Sequence, residues 1–165
     1  MNERFRRAVA RLFLGFVCGL AGLATAAADQ PIAYSHKLHI ELVGLGCLDC
    51  HSSADTAAAA TIPSVKKCML CHATMATDRP EVQKVIAYAQ SGREIPWERV
   101  YGFRQNALVK FRHAPHVQNG VACQTCHGDM ANATVAEPLV EHTMGTCVSC
   151  HRQNQASDDC ATCHY

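Results

Sequence analysis

Five copies of the pattern Cys-x-x-Cys-His constrain this 165-residue chain more than any other feature. Ten of the eleven cysteines belong to these copies, and a histidine directly follows the second cysteine each time. The copies span residues 47–51, 68–72, 123–127, 147–151 and 160–164. Zinc ribbons, thiol-disulfide enzymes and exported disulfide-bonded proteins also use paired cysteines, but none of them requires that histidine. Five matches by chance have a probability on the order of one in a million, so these classes are excluded.

The repeated pattern is the attachment signature of c-type haem. Two thioether bonds would tether the porphyrin edge, and the adjacent imidazole would bind the iron as its proximal ligand. The sequence therefore predicts five covalently attached haem c groups. The predicted attachment residues are Cys47, Cys50, Cys68, Cys71, Cys123, Cys126, Cys147, Cys150, Cys160 and Cys163. The predicted proximal iron ligands are His51, His72, His127, His151 and His164.

Each of the five predicted haems would leave one axial position of its iron open, and five further histidines are available to fill these positions. They are His36, His39, His113, His116 and His142. Four of them form two copies of aromatic-x-His-x-x-His, which start at Tyr34 and Phe111 and are offset by 77 residues. Side chains three apart on a helical turn have Cβ atoms about 5–6 Å apart, too close to bind opposite faces of one iron. Each pair would therefore serve two neighbouring irons, although a surface histidine is the alternative at each position.

Residues 1–28 have the composition of an export signal. Four arginines precede an apolar run over residues 12–28, which ends in three alanines. This order is typical of a secretory signal peptide, and an uncleaved membrane anchor is the alternative, although the run is short for a spanning helix. Both interpretations place the rest of the chain outside the cytoplasm. We expect a periplasmic protein that is either soluble or anchored to the inner membrane by this segment. The eleventh cysteine, Cys18, lies in the same segment.

Charge and composition limit the partners and the core. The leader holds four of the 15 basic and one of the 14 acidic residues, which leaves 11 basic and 13 acidic residues and no basic run. Nucleic acid is therefore excluded as a partner. Aromatic residues make up only 6% of the chain, and so few large apolar side chains make a small core. The predicted fold is mostly irregular, with short α-helices wrapped around stacked haems.

One longer helix is predicted between the two histidine-rich parts. Apolar residues follow the i, i+3, i+4, i+7 pattern of one helical face at Val82, Val85, Ile86 and Ala89. Asp78 is the candidate N-cap and Gly92 the candidate end. We expect this linker helix to pack on haem edges, with docking of a partner as the alternative. Trp97 follows in an extended segment, where it would lie against a porphyrin or anchor a partner.

With these motifs the chain resembles the class III multihaem cytochromes of the cytochrome c3/c7 type. Residues 111–165 are similar to a complete trihaem c7 module, and residues 34–72 to a shortened copy without its last haem. The resemblance implies the ligand pairs His113 with His127, His116 with His151, His142 with His164, His36 with His51, and His39 with His72. His142 departs slightly from the family pattern, because it lies five residues before Cys147.

The resemblance also implies a division of the chain into two haem-binding halves. The predicted parts are a leader or anchor over 1–28, a dihaem half over 29–77, a linker helix and extended segment over 78–109, and a trihaem half over 110–165.

Shorter motifs resemble the pentahaem subunit of alternative complex III, a membrane quinol-oxidising assembly. They are found in residues 96–101, 121–128 and 144–147. This resemblance implies one-electron transfer without catalysis, from a membrane-bound quinol-oxidising complex to a soluble or membrane-bound electron acceptor. A free-standing periplasmic shuttle is one alternative. A multihaem reductase with one open iron is the alternative from another class, and it would require that His142 leave its iron unbound.

Overall fold

The computed structural model describes residues 29–165, and the predicted leader lies outside the described residues. Within 29–165 the α-helices are α1 Cys47–Cys50, α2 Val65–His72, α3 Pro80–Ser91, α4 His113–Gln118, α5 Cys123–His127, α6 Met144–Gln153 and α7 Cys160–Cys163. A π-helical turn over Leu38–Leu42 and short 3₁₀ turns over Gln105–Ala107 and Met130–Asn132 complete the helical structure of this range. Strand-like pairing there is limited to one isolated bridge between Val109 and His164. The predicted architecture of short helices and irregular segments is confirmed.

Helix α3 corresponds to the predicted linker helix but begins later than expected. The prediction of Asp78 as its N-cap is wrong, because Arg79 occupies that position with φ −77° and ψ 134°. Pro80 at the first helical position restricts the preceding residue to an extended backbone, and this fixes the boundary. Gly92 ends the helix at φ 68°, as predicted. Neither α3 nor any other helix within residues 29–165 has the length and apolar character needed to cross a membrane.

The buried core lies where α3 packs against α2. Its centre consists of Ile32, Val65, Val85 and Ile95. Trp97 packs against this cluster, and its ring centroid lies 6.4 Å from that of Tyr34. The segment that the sequence identified as a linker is thus joined by apolar contacts to the helix that carries the second Cys-x-x-Cys-His pattern.

This core is small, and apolar side chains remain exposed beside the cysteine patterns. In the described part of the chain only seven hydrophobic residues are buried, and no polar residue is. Leu48, Leu70 and Met144, each inside or next to a cysteine pattern, are 41%, 69% and 72% exposed. Burial of apolar surface is the main source of folding free energy. Because these side chains are exposed, they contribute little to the stability of the polypeptide alone.

The loop between α1 and α2 connects the first and second halves of the chain. The main-chain carbonyls of Ala57 and Ala58 accept hydrogen bonds from Ala114 N (3.0 Å) and His113 N (2.9 Å) at the start of α4. Gln118 Nε2, at the end of α4, donates to Asp55 O at 2.8 Å. The loop therefore holds α4 at both of its ends.

Replacing Val85 with alanine should destabilise the protein by removing two buried methyl groups from the core. At about 0.8 kcal/mol for each buried carbon, we expect a loss of about 1–2 kcal/mol in the free energy of unfolding. The matched control is Val135→Ala at a side chain that is 41% exposed, which should change stability by less than about 0.5 kcal/mol. Urea unfolding followed by circular dichroism measures both, and equal effects would contradict this description of the core.

Candidate haem sites

The five cysteine pairs lie on single helical turns, with the two thiols of each pair on one side. Helices α1, α5 and α7 each begin at the first cysteine of a pair, whereas α2 and α6 contain their pairs further along. Residues i and i+3 of a helix are neighbours on its surface, so both thiols can reach one bound group. None of these ten thiols is joined in a disulfide, and each is at least partly exposed. They suit two thioether bonds to one porphyrin edge.

Three of the implied histidine pairs have their rings close together. The centroids of His113 and His127 are 6.2 Å apart with an interplanar angle of 5°. The corresponding distance is 5.9 Å for His116 and His151. A histidine nitrogen binds a metal at about 2 Å, so two rings on opposite sides of one iron have centroids about 6 Å apart. These two pairs have the spacing that a shared iron requires.

The third close pair, His39 and His72, and the implied pair His36 and His51 both lie in the first half of the chain. His39 and His72 have ring centroids 6.1 Å apart at an angle of 74°. Burial lowers the pKa of His36, and the charge of the neighbouring His51 lowers it further. The lowered pKa keeps the His36 imidazole neutral at pH 7, which is the form that binds metals.

Seven of the ten predicted ligand histidines have Nδ1 next to a main-chain carbonyl oxygen. The pairs are His39 and Ser35 O (2.9 Å), His51 and Thr61 O (2.7 Å), His72 and Met75 O (3.0 Å), His113 and Ala58 O (3.1 Å), His116 and Arg112 O (2.8 Å), His151 and Ser157 O (2.5 Å), and His164 and Ala107 O (2.8 Å). In the tautomer that carries the proton on Nδ1, each ring donates to its carbonyl. The other nitrogen, Nε2, is then the free base, an arrangement typical of metal-binding histidines.

The two aromatic-x-His-x-x-His copies repeat in three dimensions. Tyr34 lies edge-on to His36 at 4.9 Å and stacks on His39 at 4.5 Å. Phe111 lies edge-on to His113 at 4.8 Å and is tilted by 31° against His116 at 4.9 Å. One aromatic ring therefore separates and orients the two imidazoles of each copy.

The two copies differ at the Nδ1 atom of their first histidine. The Nδ1 atom of His113 lies near the loop carbonyl of Ala58, whereas that of His36 is buried without a hydrogen-bond partner. The loop between α1 and α2 thus supports only the second copy.

His142 and His164 have different neighbours from those that the resemblance implied. The ring of His142 lies 6.3 Å from His127 at an angle of 83° and 5.2 Å from Tyr101. His164 forms an isolated main-chain bridge with Val109, and its Nδ1 atom lies next to the main-chain oxygen of Ala107. Pairing of His142 with His164 on one iron stays a prediction.

The first cysteine patterns of the two halves are close together. Burial raises the pKa of the Cys47 thiol, and the neighbouring Cys123 thiol raises it further. Burial also lowers the pKa of His127, with smaller contributions from His113, His142 and then His51. The charge of His51, the predicted proximal ligand of the first pattern, thus acts on His127, that of the third, across the two halves.

Among the residues that the structure describes, no group of three or more His, Cys, Asp or Glu side chains converges on one metal position. The sequence did not predict the carbonyl partners of the imidazoles, because every residue has a carbonyl group and no residue type signals its direction. The sequence also did not predict the contacts of the Tyr101 ring with His127 and His142.

Comparisons with known proteins agree with this chemistry. The family described as "Cytochrome c7 and related cytochrome c" matches residues 109–165, which contain three of the five cysteine patterns. The multiheme cytochrome c subunit of menaquinone reductase from Nitratidesulfovibrio vulgaris (strain Hildenborough) is 30% identical over 163 residues. That alignment covers 82% of this chain and 77% of the relative. The chain therefore belongs to the class III multihaem c-type cytochromes of the c3/c7 type, electron-transfer proteins with covalently bound haem.

Proposed function

We propose that this protein carries five haem c groups, each held by two histidines, and passes single electrons along them between a membrane-bound quinone-converting partner and a periplasmic acceptor or donor. The observation that carries the proposal is the spacing of the imidazoles, since three of the five proposed pairs have ring centroids about 6 Å apart. Two histidines on each iron would suit electron transfer, because the iron could change its charge without changing its ligands. A substrate-converting haem needs an open position.

The residues of the chain hold and orient the cofactor. When bound, haem c supplies the one-electron iron couple. The paired thiols would fix its edge to a helical turn, and the carbonyl-bound Nδ1 atoms hold seven of the ten imidazoles in one rotation. The lowered pKa values of His36 and His127 keep these two rings unprotonated at neutral pH. Two imidazoles favour a lower potential than histidine with methionine.

The proximity of the first and third patterns supports a route between the halves. Burial raises the pKa of the Cys68 thiol and Cys50 contributes to this rise, which supports proximity of the first and second patterns. Burial raises the pKa of the Cys126 thiol, and Cys147 and Cys150 raise it further, which supports proximity of the third and fourth patterns. With Cys47 next to Cys123, the proposed order of sites in space is second, first, third, fourth.

The proposed partner is a membrane module that converts quinone and quinol. The likeness to a subunit named for menaquinone reductase supports this class of partner. This likeness favours electron flow from the cytochrome to menaquinone. The resemblance to alternative complex III implies electron flow in the opposite direction, from a quinol to the cytochrome. Both directions use the same haem route. We propose that the protein works in the periplasm, which is typical for its family.

Purified protein should contain five low-spin haems. Mass spectrometry should find the added mass of five haem groups, and absorption and electron paramagnetic resonance spectra should lack a high-spin signal. Carbon monoxide should not bind stoichiometrically to the reduced protein. One open iron that binds carbon monoxide would support the multihaem reductase instead, and zinc in place of haem would overturn the proposal.

Replacing His113 with methionine should raise the potential of one haem and leave the other four near their original values. A thioether ligand favours the reduced iron, which raises the potential. The control is Met75→Leu, since Met75 is 56% exposed and is not assigned to any iron. Spectroelectrochemical titration measures all five couples. The assignment of His113 fails if the variant titrates like the control.

The direction of electron flow can be measured in membranes that contain the protein with its companions. Electrons towards the quinone predict that added menaquinone oxidises the reduced haems, and that loss of the companion subunits stops this reaction. Reduction of oxidised haems by menaquinol predicts the opposite direction. Haem absorbance follows both reactions. A cytochrome that washes off the membranes alone and reacts with neither quinone form would favour the free-standing shuttle.

A further inference from the structure

The hydroxyl of Tyr101 connects two distant segments of the second half. It accepts hydrogen bonds from Leu139 N at 2.8 Å and Val140 N at 3.2 Å. It also donates to the main-chain oxygen of His127 at 3.4 Å. Residues 133–143 have no regular secondary structure. The hydrogen bonds to Tyr101 therefore fix the main chain of a segment that no helix holds in place.

The ring of Tyr101 lies against two predicted iron ligands. Its centroid is 4.8 Å from that of His127, edge-on, and 5.2 Å from that of His142, at a tilt of 43°. The segment that the hydroxyl holds ends only two residues before His142. The same side chain therefore sets both the backbone that leads into His142 and one face of the His142 ring.

Gly128 lets the same segment approach from the other side. It has φ 68°, and a Cβ atom added to it would lie 2.8 Å from Leu139 Cβ and 3.3 Å from Val140 Cγ2. The first distance is shorter than real Cβ contacts allow, and a Cβ atom at Leu139 cannot move without its backbone. Only glycine permits this approach directly after His127.

We propose that Tyr101 and Gly128 are positioning residues that hold the segment 139–142 so that His142 can bind its iron. This inference rests on the proposed bis-histidine ligation. Tyr101 pulls the main chain of residues 139 and 140 towards His127, and Gly128 leaves room for it. His142 lies in an irregular segment outside the aromatic-x-His-x-x-His copies, so it needs this support from elsewhere in the chain.

The first test compares Tyr101→Phe with His142→Ala in the haem-loaded protein. Phenylalanine keeps the ring but releases the two backbone donors, so we expect a partial high-spin signal from one haem and no change at the other four. His142→Ala should convert one haem completely, up to one fifth of the total. Tyr88→Phe is the control, since Tyr88 packs on the core; it should keep the original spectrum. Electron paramagnetic resonance and carbon monoxide binding measure the converted fraction.

The second test separates steric contact from backbone strain. Gly128→Ala and Gly120→Ala both place alanine at a positive φ, 68° and 77°, but at Gly120 nothing lies within 4 Å of the added Cβ. Only Gly128→Ala should produce the high-spin haem. If Gly128→Ala does not accumulate, the Tyr101 variant still decides.

The outcomes distinguish this inference from the proposed function. Five low-spin haems with unchanged potentials in both Tyr101→Phe and Gly128→Ala, together with an open iron in His142→Ala, would overturn the positioning role alone. Five low-spin haems in His142→Ala would overturn the assignment of His142, and the positioning role with it. A high-spin haem in the original protein would show that at least one iron lacks a second histidine. It would overturn the proposal that all five irons are held by two histidines.

Discussion

The hydrogen bond from an imidazole Nδ1 to a main-chain carbonyl is the interaction on which the candidate sites depend. It fixes the rotation of the ring and leaves Nε2 as the free base that a metal requires. Several of the carbonyls belong to loops, as at Ala58, Thr61 and Ser157. Those loops must therefore keep one conformation although no sheet supports them within residues 29–165. The irregular segments are parts of the sites and not merely connections between helices.

The small core makes folding and cofactor attachment dependent on each other. Seven buried hydrophobic residues in the described range give limited stability to a domain of this size. Exposed apolar side chains such as Leu48 and Leu70 lie within the cysteine patterns themselves, where an attached porphyrin would cover them. In the proposed assignment the bound group supplies apolar contacts that the side chains lack, and binding free energy adds directly to folding free energy.

The sequence predicted what depends on local spacing and missed what depends on distant contacts. The i, i+3 positions of the histidines and thiols follow from the sequence, and so does the end of α3 at Gly92. The start of α3 was misplaced because the restriction imposed by Pro80 outweighed the capping preference of Asp78. The contact between Cys47 and Cys123, and the position of His142 beside His127, join residues from different parts of the chain. No local pattern encodes such contacts, and a family resemblance carries them only where the chain follows the family closely.

The junction between the halves is what would let a duplicated pattern form the proposed continuous route. Each copy of aromatic-x-His-x-x-His would bring two irons close together, but it says nothing about how one half reaches the other. The loop after α1 supplies that connection, since its carbonyls hold both the backbone and the ring of His113. The same loop follows the first cysteine pattern and supports His113, the proposed distal ligand of the third. A shift of this loop would therefore change both the spacing across the junction and the orientation of His113, so in the proposed assignment transfer between the halves and ligation in the second half would be mechanically coupled.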